Sequence, residues 1–204
     1  LSGFANAYVK PEGSAVAFDN AQETYTARYT NETVALAFAL TEEAMEDNLY
    51  DRLASRYTKA LARSMANAKQ IKAATPLNQG LPGIAAANAF QSGDNVNLFS
   101  TAHPTIAGTV SNTLATQADL NETSLEQSMI DIAGMTDERG LKIAARGMKM
   151  IVPSENQFNA ERLLKSQGRT GTADNDINAL KNMGMVPEGY RVNHYLTDVD
   201  SFYI

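Results

Sequence analysis

The stretch NLFSTAHPTIAGTVSN, residues 97–112, places one of the chain's two histidines beside serine and threonine side chains. A serine hydrolase needs a hydroxyl within hydrogen-bond reach of an imidazole, a third group that orients the ring, and an oxyanion hole. Ser100 and His103 lie three residues apart, but no GxSxG elbow surrounds a serine of this stretch. We therefore interpret His103 as a packing or capping residue of a loop, and a hydrolase using Ser100 and His103 stays as an alternative.

Metal-binding patterns are weak. His194 lies in the strand-like run VNHYL and is expected to be a hydrogen-bonded, partly buried side chain, since two isolated histidines make no zinc motif. The segment DNDIN, residues 174–178, alternates oxygen-bearing side chains like the start of a calcium loop. The match fails because Ala179 replaces the required glycine and Met185 stands where the bidentate glutamate belongs. The sequence therefore predicts no catalytic, cofactor-binding or metal-binding residue.

Composition narrows the class of protein. The chain has 204 residues, of which 44% are hydrophobic, and this is enough for a real core. Seventeen basic against 23 acidic side chains give a net charge of -6, which disfavours a non-specific grip on nucleic acid phosphates. The absence of cysteine excludes disulfides, thiolate metal sites and a cysteine nucleophile. No run of about 18 apolar residues occurs, so we expect no membrane partner.

The first forty residues are predicted to be extended. Residues 24–30, TYTARYT, alternate in the manner of a half-buried strand, and residues 33–40, TVALAFAL, alternate large apolar side chains with alanines. Residues 14–23 add a short strand with a turn-prone pair, Asp19 and Asn20. Together they predict a long antiparallel ribbon. Because such a ribbon is only marginally stable alone, it needs a partner surface in its own chain or in another.

A long helix is predicted to follow the ribbon. Thr41 is a suitable N-cap, and Glu42 and Glu43 fall in the first turn, where the helix dipole favours carboxylates. Apolar residues then recur every three or four positions to about residue 69. At about 1.5 Å per residue the helix is roughly 42 Å long. A ribbon followed by so long a helix suits contact with neighbours better than enclosure of a pocket.

A long loop-rich region is predicted next, followed by a small mixed sheet flanked by helices. Residues 75–121 are rich in Gly, Pro, Asn, Ser and Thr, and a loop region of this length is commonly functional or interfacial. A helix follows, with Thr123 and Glu126 as a capping box and an end near Gly134. Next, the segment MKMIVP is predicted to be a buried strand stopped by Pro153.

Another helix and two late strands complete the predicted sheet. Ser154 and Gln157 form a possible capping box for this helix, whose inner face is predicted to be Phe158, Leu163 and Leu164. The runs YRVNHYL and SFYI are predicted to be late strands, and helices on a small mixed sheet give an α+β class. Since the chain starts at a leucine and stops inside SFYI, we expect both ends to be incomplete.

Three segments resemble tailed-bacteriophage major capsid proteins, in particular the Mu-like prophage head subunit group. The first segment joins the ribbon to the long helix and reads YTNETVALAFALTEEAMEDNLYDRLASRYTKALARSM. The second is NLFSTAHPTIAGTVSN. The third is LEQSMIDIAGMTDERGLKIAARGMKMIVPSENQFNAERLLKS. They occur in the same order as in those proteins, and the resemblance spans most of residues 15–204.

The resemblance implies the α+β capsid fold first described for a Hong Kong phage. It implies an E-loop β-ribbon at residues 8–40 and a peripheral domain with a long spine helix at residues 41–76. Residues 77–191 would form an axial domain with a small mixed sheet flanked by helices. Residues 192–204 would be return strands toward the peripheral domain, the rest of which would be missing.

The resemblance also implies a structural role and no enzyme activity. It implies a major capsid subunit that self-assembles into an icosahedral shell enclosing phage DNA, located in the virion and assembled in the bacterial host cytoplasm. The implied partners are copies of the chain in hexamers and pentamers, scaffolding and portal proteins, and double-stranded DNA packaged without sequence specificity. No cofactor is implied. An encapsulin-type nanocompartment, which shares the fold and encloses a protein cargo, is the alternative.

The tip of the predicted ribbon supplies candidate contacts between subunits. Shell proteins make heterologous contacts that repeat around five-fold and six-fold positions, so each subunit needs elements that lie on a neighbour. A projecting ribbon can add to a neighbour's surface through its side chains and backbone. The candidate contact residues are Phe18, Asp19, Asn20, Gln22 and Glu23.

Overall fold

The structure is a computed structural model that describes residues 2–47, 50–85, 87–169 and 176–204, with the backbone alone for residues 50–53. The helices are α1 Glu42–Glu46, α2 Tyr50–Gln79, α3 Glu122–Gly134, α4 Gln157–Lys165 and α5 Ala179–Asn182. The strands are β1 His103–Thr105, β2 Gly108–Val110, β3 Met150–Val152 and β4 Tyr190–Val192. This mixture of helices and small sheets agrees with the predicted α+β class. None of the described helices is both long and apolar enough to cross a membrane.

The hydrophobic core lies where α3 and α4 pack on β3. Leu125 and Met129 project from α3, one turn apart, and meet Met150 and Val152 of β3 and Leu163 of α4. All five side chains are buried. The segment MKMIVP therefore forms the predicted buried strand, shortened to three residues and followed by a buried proline.

The core strand β3 has neighbours on both edges. It pairs in parallel with β4, with Met150 opposite Tyr190. On its other edge Ile151 and Tyr203 form an antiparallel bridge, in which each N–H donates to the other's carbonyl at 2.7 and 2.9 Å. The predicted strand in YRVNHYL is confirmed in shortened form as β4, whereas pairing in SFYI is limited to the bridge at Tyr203. His194 falls in the turn after β4 and is exposed, so the prediction that it is partly buried is wrong.

The cap of α3 differs from the predicted one. The Ser124 N–H donates to Oδ1 of Asn121 at 2.8 Å, and the Asn121 N–H donates to the Ser124 hydroxyl at 3.0 Å. The predicted box of Thr123 and Glu126 is therefore wrong by two residues, because Asn is at least as strong a cap as Thr and the earlier start buries Ser124. The predicted end at Gly134 is confirmed.

The start and the inner face of α4 also differ from the prediction. Ser154 donates its hydroxyl to the Glu155 carboxylate instead of capping, and Asn156 is the N-cap without a side-chain hydrogen bond. Phe158 is 67% exposed, whereas Ala160 and Leu163 are buried. Residues two apart lie on nearly opposite sides of a helix, so burial of Ala160 turns Phe158 to solvent.

The predicted long helix is divided in the structure: the short helix α1 begins at the predicted position, whereas α2 begins at Tyr50 and ends later than predicted. The Thr41 hydroxyl accepts the Ala44 N–H at 3.4 Å and caps α1. Helix α2 then continues through Pro76 to Gln79, beyond the predicted end near residue 69, and its 30 residues span about 45 Å. The Gln79 carbonyl accepts the Phe90 N–H at 2.8 Å. The later loop therefore completes a helix end that local sequence does not specify.

Residues 2–41, here called the arm, contain neither helix nor strand. The predicted strands at residues 14–23, 24–30 and 33–40 are wrong for this chain by itself, because their backbones have no ladder partner. Tyr29 remains 87% exposed and Leu36 56%. Alternation gives a strand two faces, but only a neighbouring backbone makes it part of a sheet.

Candidate functional site

The imidazole of His103, at the start of β1, is paired with a carboxylate that the sequence did not signal. Its Nδ1 lies 2.6 Å from Oδ2 of Asp94, and both side chains are largely buried. The Asp94 carboxylate also accepts the Ser92 hydroxyl at 2.5 Å and the Val96 N–H at 3.2 Å. The pair therefore joins the turn at residues 91–97 to the β1–β2 hairpin.

The hydrogen bonds of Asp94 determine its charge state. Burial raises the pKa of Asp94, but the hydrogen bonds from Ser92 and His103 outweigh it and hold the pKa below its ordinary value. The carboxylate is therefore ionised at neutral pH, and it fixes the orientation of the His103 ring.

The hydroxyl that a serine hydrolase requires does not lie on the other side of this imidazole. The Ser100 hydroxyl accepts the Ala102 N–H at 3.2 Å, while the Ser100 N–H donates to Oδ1 of Asn112 at 2.8 Å. Nε2 of His103 is buried and has no hydrogen-bond partner among the described residues. Asp94 and His103 thus supply an oriented imidazole without a nucleophile, and their contact holds a loop together.

In the segment that resembles a calcium loop, residues 174–178, one side chain has a structural role. Asp174 lies outside the described residues, and Asp176 is exposed. Asn178 is buried, donates its amide to the Leu163 carbonyl at 2.7 Å, and accepts the Lys181 N–H at 3.2 Å as the cap of α5. Across the described ranges no group of three or more His, Cys, Asp or Glu side chains is placed to hold a metal ion.

An open cleft of about 550 Å³ lies between α3 and the last residues of the chain. Phe99 and Tyr203 form part of its wall, with their ring centroids 5.2 Å apart. Its acidic lining residues are Asp119, Asp131, Asp198 and Asp200. Among the described residues no Lys, Arg or His lines it, so this part of the cleft is unsuited to nucleic acid phosphates.

The arm is attached to the rest of the chain through the loop at residues 137–140, here called the Arg139 loop. The Arg139 guanidinium donates from Nη2 to both carboxylate oxygens of Asp19, at 2.7 and 2.6 Å. The Asp19 carboxylate also accepts the Ala5 N–H at 2.7 Å. The hydrogen bonds from Arg139 and Ala5 hold the pKa of Asp19 below its ordinary value. A charged contact therefore fixes the predicted tip in place.

Two further hydrogen bonds hold the part of the arm next to this contact. The Thr24 hydroxyl donates to the Glu138 carboxylate at 3.3 Å, and the Tyr25 hydroxyl donates to the Pro104 carbonyl at 3.0 Å. The acceptors lie in the Arg139 loop and in β1. Both contacts are polar, so this docking surface depends on hydrogen bonds and charge and little on buried apolar area.

The predicted contact residues have different environments in the structure. They are Phe18, Asp19, Asn20, Gln22 and Glu23, and all five are exposed. Phe18 is 95% exposed. Gln22 is bound through its backbone to Ser2, which accepts the Gln22 N–H at 3.0 Å and donates its own N–H to the Gln22 carbonyl at 2.7 Å. The structure thus brings Asp19 and Gln22 into contacts within the chain and leaves Phe18 in solvent.

The arm as a whole presents an unusual amount of apolar surface. Its most exposed large apolar side chains, each at least 60% exposed, are Phe4, Tyr8, Val9, Val16, Phe18 and Tyr29. Apolar side chains gathered on one exposed segment mark a surface that contacts another molecule.

Comparison with known proteins assigns the chain to a family. Residues 24–204 match a protein family described as phage capsid protein. The match contains the long helix, both small sheets and the hydrophobic core, and it begins just after the predicted tip at residues 18–23. No curated protein and no solved structure matches the chain. The structural family that the three quoted segments indicate is confirmed at this level, and the chain belongs to the phage capsid protein family.

Proposed function

We propose that this chain is a major capsid subunit of a tailed bacteriophage, which assembles with copies of itself into an icosahedral shell enclosing phage double-stranded DNA. Membership of the phage capsid family supports the structural role. The observation that carries the proposal further is the arm, whose large apolar side chains are left in solvent by the described residues of the same chain. A subunit that covers these side chains only by contact with a neighbour is built to assemble.

Covering the apolar side chains of the arm contributes favourably to assembly. Burying a Phe or Val side chain contributes about 1.5–3 kcal/mol. Phe18 and Val9 are 95% and 96% exposed, so nearly all of this contribution is gained only when another molecule covers them. A heterologous contact repeated around a closed ring uses it at every subunit interface. The predicted tip residues 18–23 accordingly remain the proposed contacts between subunits.

The order of elements supports the Hong Kong phage type of capsid fold. On this proposal residues 8–40 are the E-loop, in the form of an extended arm, and residues 41–76 are the spine helix region, with α2 continuing to Gln79. Residues 77–191 are the axial domain, and residues 192–204 return toward the peripheral domain. The parallel pair of β3 and β4 with α3, α4 and α5 fits the small flanked sheet of that axial domain.

The proposed partners follow from the proposed shell. They are further copies in hexamers and pentamers, scaffolding and portal proteins, and packaged DNA, with assembly in the bacterial host cytoplasm. The net charge of -6 and the acidic cleft support a container that does not trap the duplex during filling, because phosphates are repelled by carboxylates.

Electron microscopy and light scattering of the chain expressed with its natural ends test the shell. We expect hollow particles of megadalton mass. Nucleic acid as their native content supports a phage head, whereas a protein cargo would favour the encapsulin-type nanocompartment. A stable monomer under all assembly conditions would contradict the proposal.

Deletion of residues 18–23 tests the arm as the assembly element. The deleted chain should keep its circular dichroism spectrum, because no core residue is removed, and it should form no stable shells. Phe158→Ser is a matched control, since Phe158 is exposed on α4 and lies outside the arm. The control should assemble normally. Normal shells from the deletion would show that the tip is not a contact between subunits.

A further inference from the structure

We infer that the Arg139 loop is a docking site for the arm of a second copy of this chain. In the free subunit the site holds the chain's own arm through Asp19. In the assembled capsid the same contact is exchanged, so that each Arg139 binds the Asp19 of a neighbour. The inference rests on the proposed function, because exchange requires neighbouring subunits.

The Arg139 loop is ordered by contacts that do not involve the arm. The Asp137 carboxylate accepts the Arg139 and Leu141 N–H groups at 2.9 and 2.8 Å. The Ala107 N–H, in the β1–β2 hairpin, donates to the Glu138 carbonyl at 3.1 Å. Because these bonds shape the loop from within, the site keeps its form when one arm leaves and another arrives.

The site has binding capacity that the chain's own arm does not use. Nε of Arg139 and Oε2 of Glu138 are both buried and have no hydrogen-bond partner among the described residues. The Arg139 side chain is only 13% exposed. A buried guanidinium binds best when both edges of its fork are used. A neighbouring subunit that lends its arm can supply these missing partners in addition to Asp19.

The tip of the arm is locally ordered, so it can be transferred as a unit. The Asp19 carboxylate accepts the Asn20 N–H at 3.0 Å and the Ala5 N–H at 2.7 Å. Ser2 and Gln22 are bound to each other through two hydrogen bonds. All of these bonds lie within residues 2–22 and move with the tip.

The arm has a place to change direction. Thr24 and Tyr25 are its last contacts with the Arg139 loop and β1, and Glu32 is next held, by an ion pair with Lys72 of α2. Residues 28–31 between these attachments are exposed and carry neither helix nor strand. At about 3.3–3.6 Å per residue, the segment from Asp19 to Arg28 reaches about 30 Å when extended. A change of backbone direction at residues 28–31 therefore sends the tip to an adjoining subunit.

In the exchange, each polar contact that is broken within a subunit is formed again between two subunits. The Asp19–Arg139 pair is the same within a subunit and between subunits. The local concentration of each arm near the site therefore decides whether a subunit's own arm or a neighbour's arm is bound. In a dilute free subunit the chain's own arm is always nearest, whereas in a shell the neighbour's site is held equally close. Transfer additionally places Phe18, next to Asp19, against a neighbour in place of water.

Charge reversal separates a contact within one chain from a contact between chains. A D19R chain and an R139D chain each place like charges at the site, whether the contact is within or between copies. In an equal mixture of the two, opposite charges meet only when each arm binds the other kind of chain. We expect particle yield to fall about tenfold or more for each variant alone and to recover in the mixture.

The controls make each outcome decisive. The double variant D19R/R139D should assemble like the unsubstituted chain. The exposed pair Lys149–Glu188, 2.5 Å apart and away from the arm, gives matched reversals, K149E and E188K, that should assemble alone. A mixture of D19R and R139D no better than its components overturns the exchange, as does normal assembly of either variant alone.

Crosslinking gives a second readout, since the chain has no cysteine of its own. D19C chains mixed with R139C chains and treated with a short bis-maleimide should give covalent dimers within particles. The D19C/R139C double variant should give a closed monomer in dilute solution. Particles without mixed-chain dimers would overturn the exchange and leave the proposed function standing. If the unsubstituted chain forms no particles, the proposed function fails, and absence of mixed dimers in concentrated subunit then overturns the exchange as well.

Discussion

The arm and the region around β3 both carry large apolar side chains, and they bury them to opposite extents. Leu125 and Val152 are 0% exposed, while Val9 and Phe18 are almost fully exposed. The difference lies in layering: β3 is covered by α3 and α4, whereas the arm is extended and meets α2 at isolated contacts, the Glu32–Lys72 ion pair and the Phe38–Tyr57 ring contact. The comparison teaches that an apolar pattern predicts burial only where the chain supplies a second layer.

A division of tasks follows from this comparison. The β3 region stabilises the fold of the subunit, and the arm provides surface for contacts with other subunits. Substitutions in the β3 region should therefore change the free energy of unfolding, and substitutions in the arm should change assembly. Substitutions in the two regions test this division, and one at Asp94, which lies outside both, is placed among them by size, from the largest expected effect on stability to the smallest.

Leu125→Ala should have the largest effect. Its side chain is fully buried in the core, so the loss of apolar contact and the remaining cavity should lower the free energy of unfolding by about 3 kcal/mol. Denaturant unfolding followed by circular dichroism measures it. Phe158→Ala, which removes a larger but exposed side chain from α4, should change the value by less than about 0.5 kcal/mol. Equal losses from the two would remove the distinction between buried and exposed positions.

Asn178→Ala should have the next largest effect. It leaves the Leu163 carbonyl without its donor and removes the cap of α5, at a cost of about 2 kcal/mol. A thermal unfolding midpoint measures the loss. Asn20→Ala, at an exposed position of the arm, is the matched control and should leave the midpoint unchanged. An unchanged midpoint in the Asn178 variant would mean that this buried amide does not stabilise the fold.

Asp94→Asn should have a smaller effect that depends on pH. The folded-state pKa of Asp94 lies below its ordinary value, so the carboxylate contributes stability above that value, near 3.9, and loses it as the pH falls through the folded-state pKa. The variant should be about 1 kcal/mol less stable at neutral pH. The difference should shrink below about pH 4, as measured by denaturant unfolding across pH.

The sign of this dependence is the critical result. A difference that grows on acidification would contradict the assigned hydrogen bonds of Asp94. Asp200→Asn, at an exposed position, controls for general charge effects and should show no such window.

Phe18→Ala should have the smallest effect on stability. Since the ring is 95% exposed, the free energy of unfolding should change by less than about 0.5 kcal/mol, while the yield of shells falls. Unfolding and particle yield are measured on the same preparation. A loss of stability above about 1 kcal/mol would show that Phe18 packs within its own subunit, and would break the contrast between the arm and the β3 region.

Features encoded within a few neighbouring residues were predictable from the sequence. The Thr41 cap, the end of α3 at Gly134 and the stop of β3 before Pro153 each depend on local hydrogen bonding and backbone preference. The order of arm, long helix and small sheet followed from the changes of period along the chain. These signals also carried the resemblance that led to the family.

Features that depend on distant residues were not predictable in this way. The pairing of Asp94 with His103 needs a turn and a hairpin to meet, and Arg139 reaches Asp19 across 120 residues of sequence. No local pattern marks either contact. The choice of Asn121 over Thr123 as cap was equally hidden, because two good caps compete and burial of the next turn selects one.

The sequence by itself therefore determined the class of elements, the Thr41 cap, a long helix after the arm, the buried strand and the capsid family. Tertiary structure alone decided which apolar residues are buried, where α2 ends, and that the arm stays extended and is held by Arg139. The physical reason is that helix caps and strand stops are satisfied by nearby backbone groups. Burial, ladder pairing and ion pairs require a second surface, and its position is fixed only when the whole chain has folded.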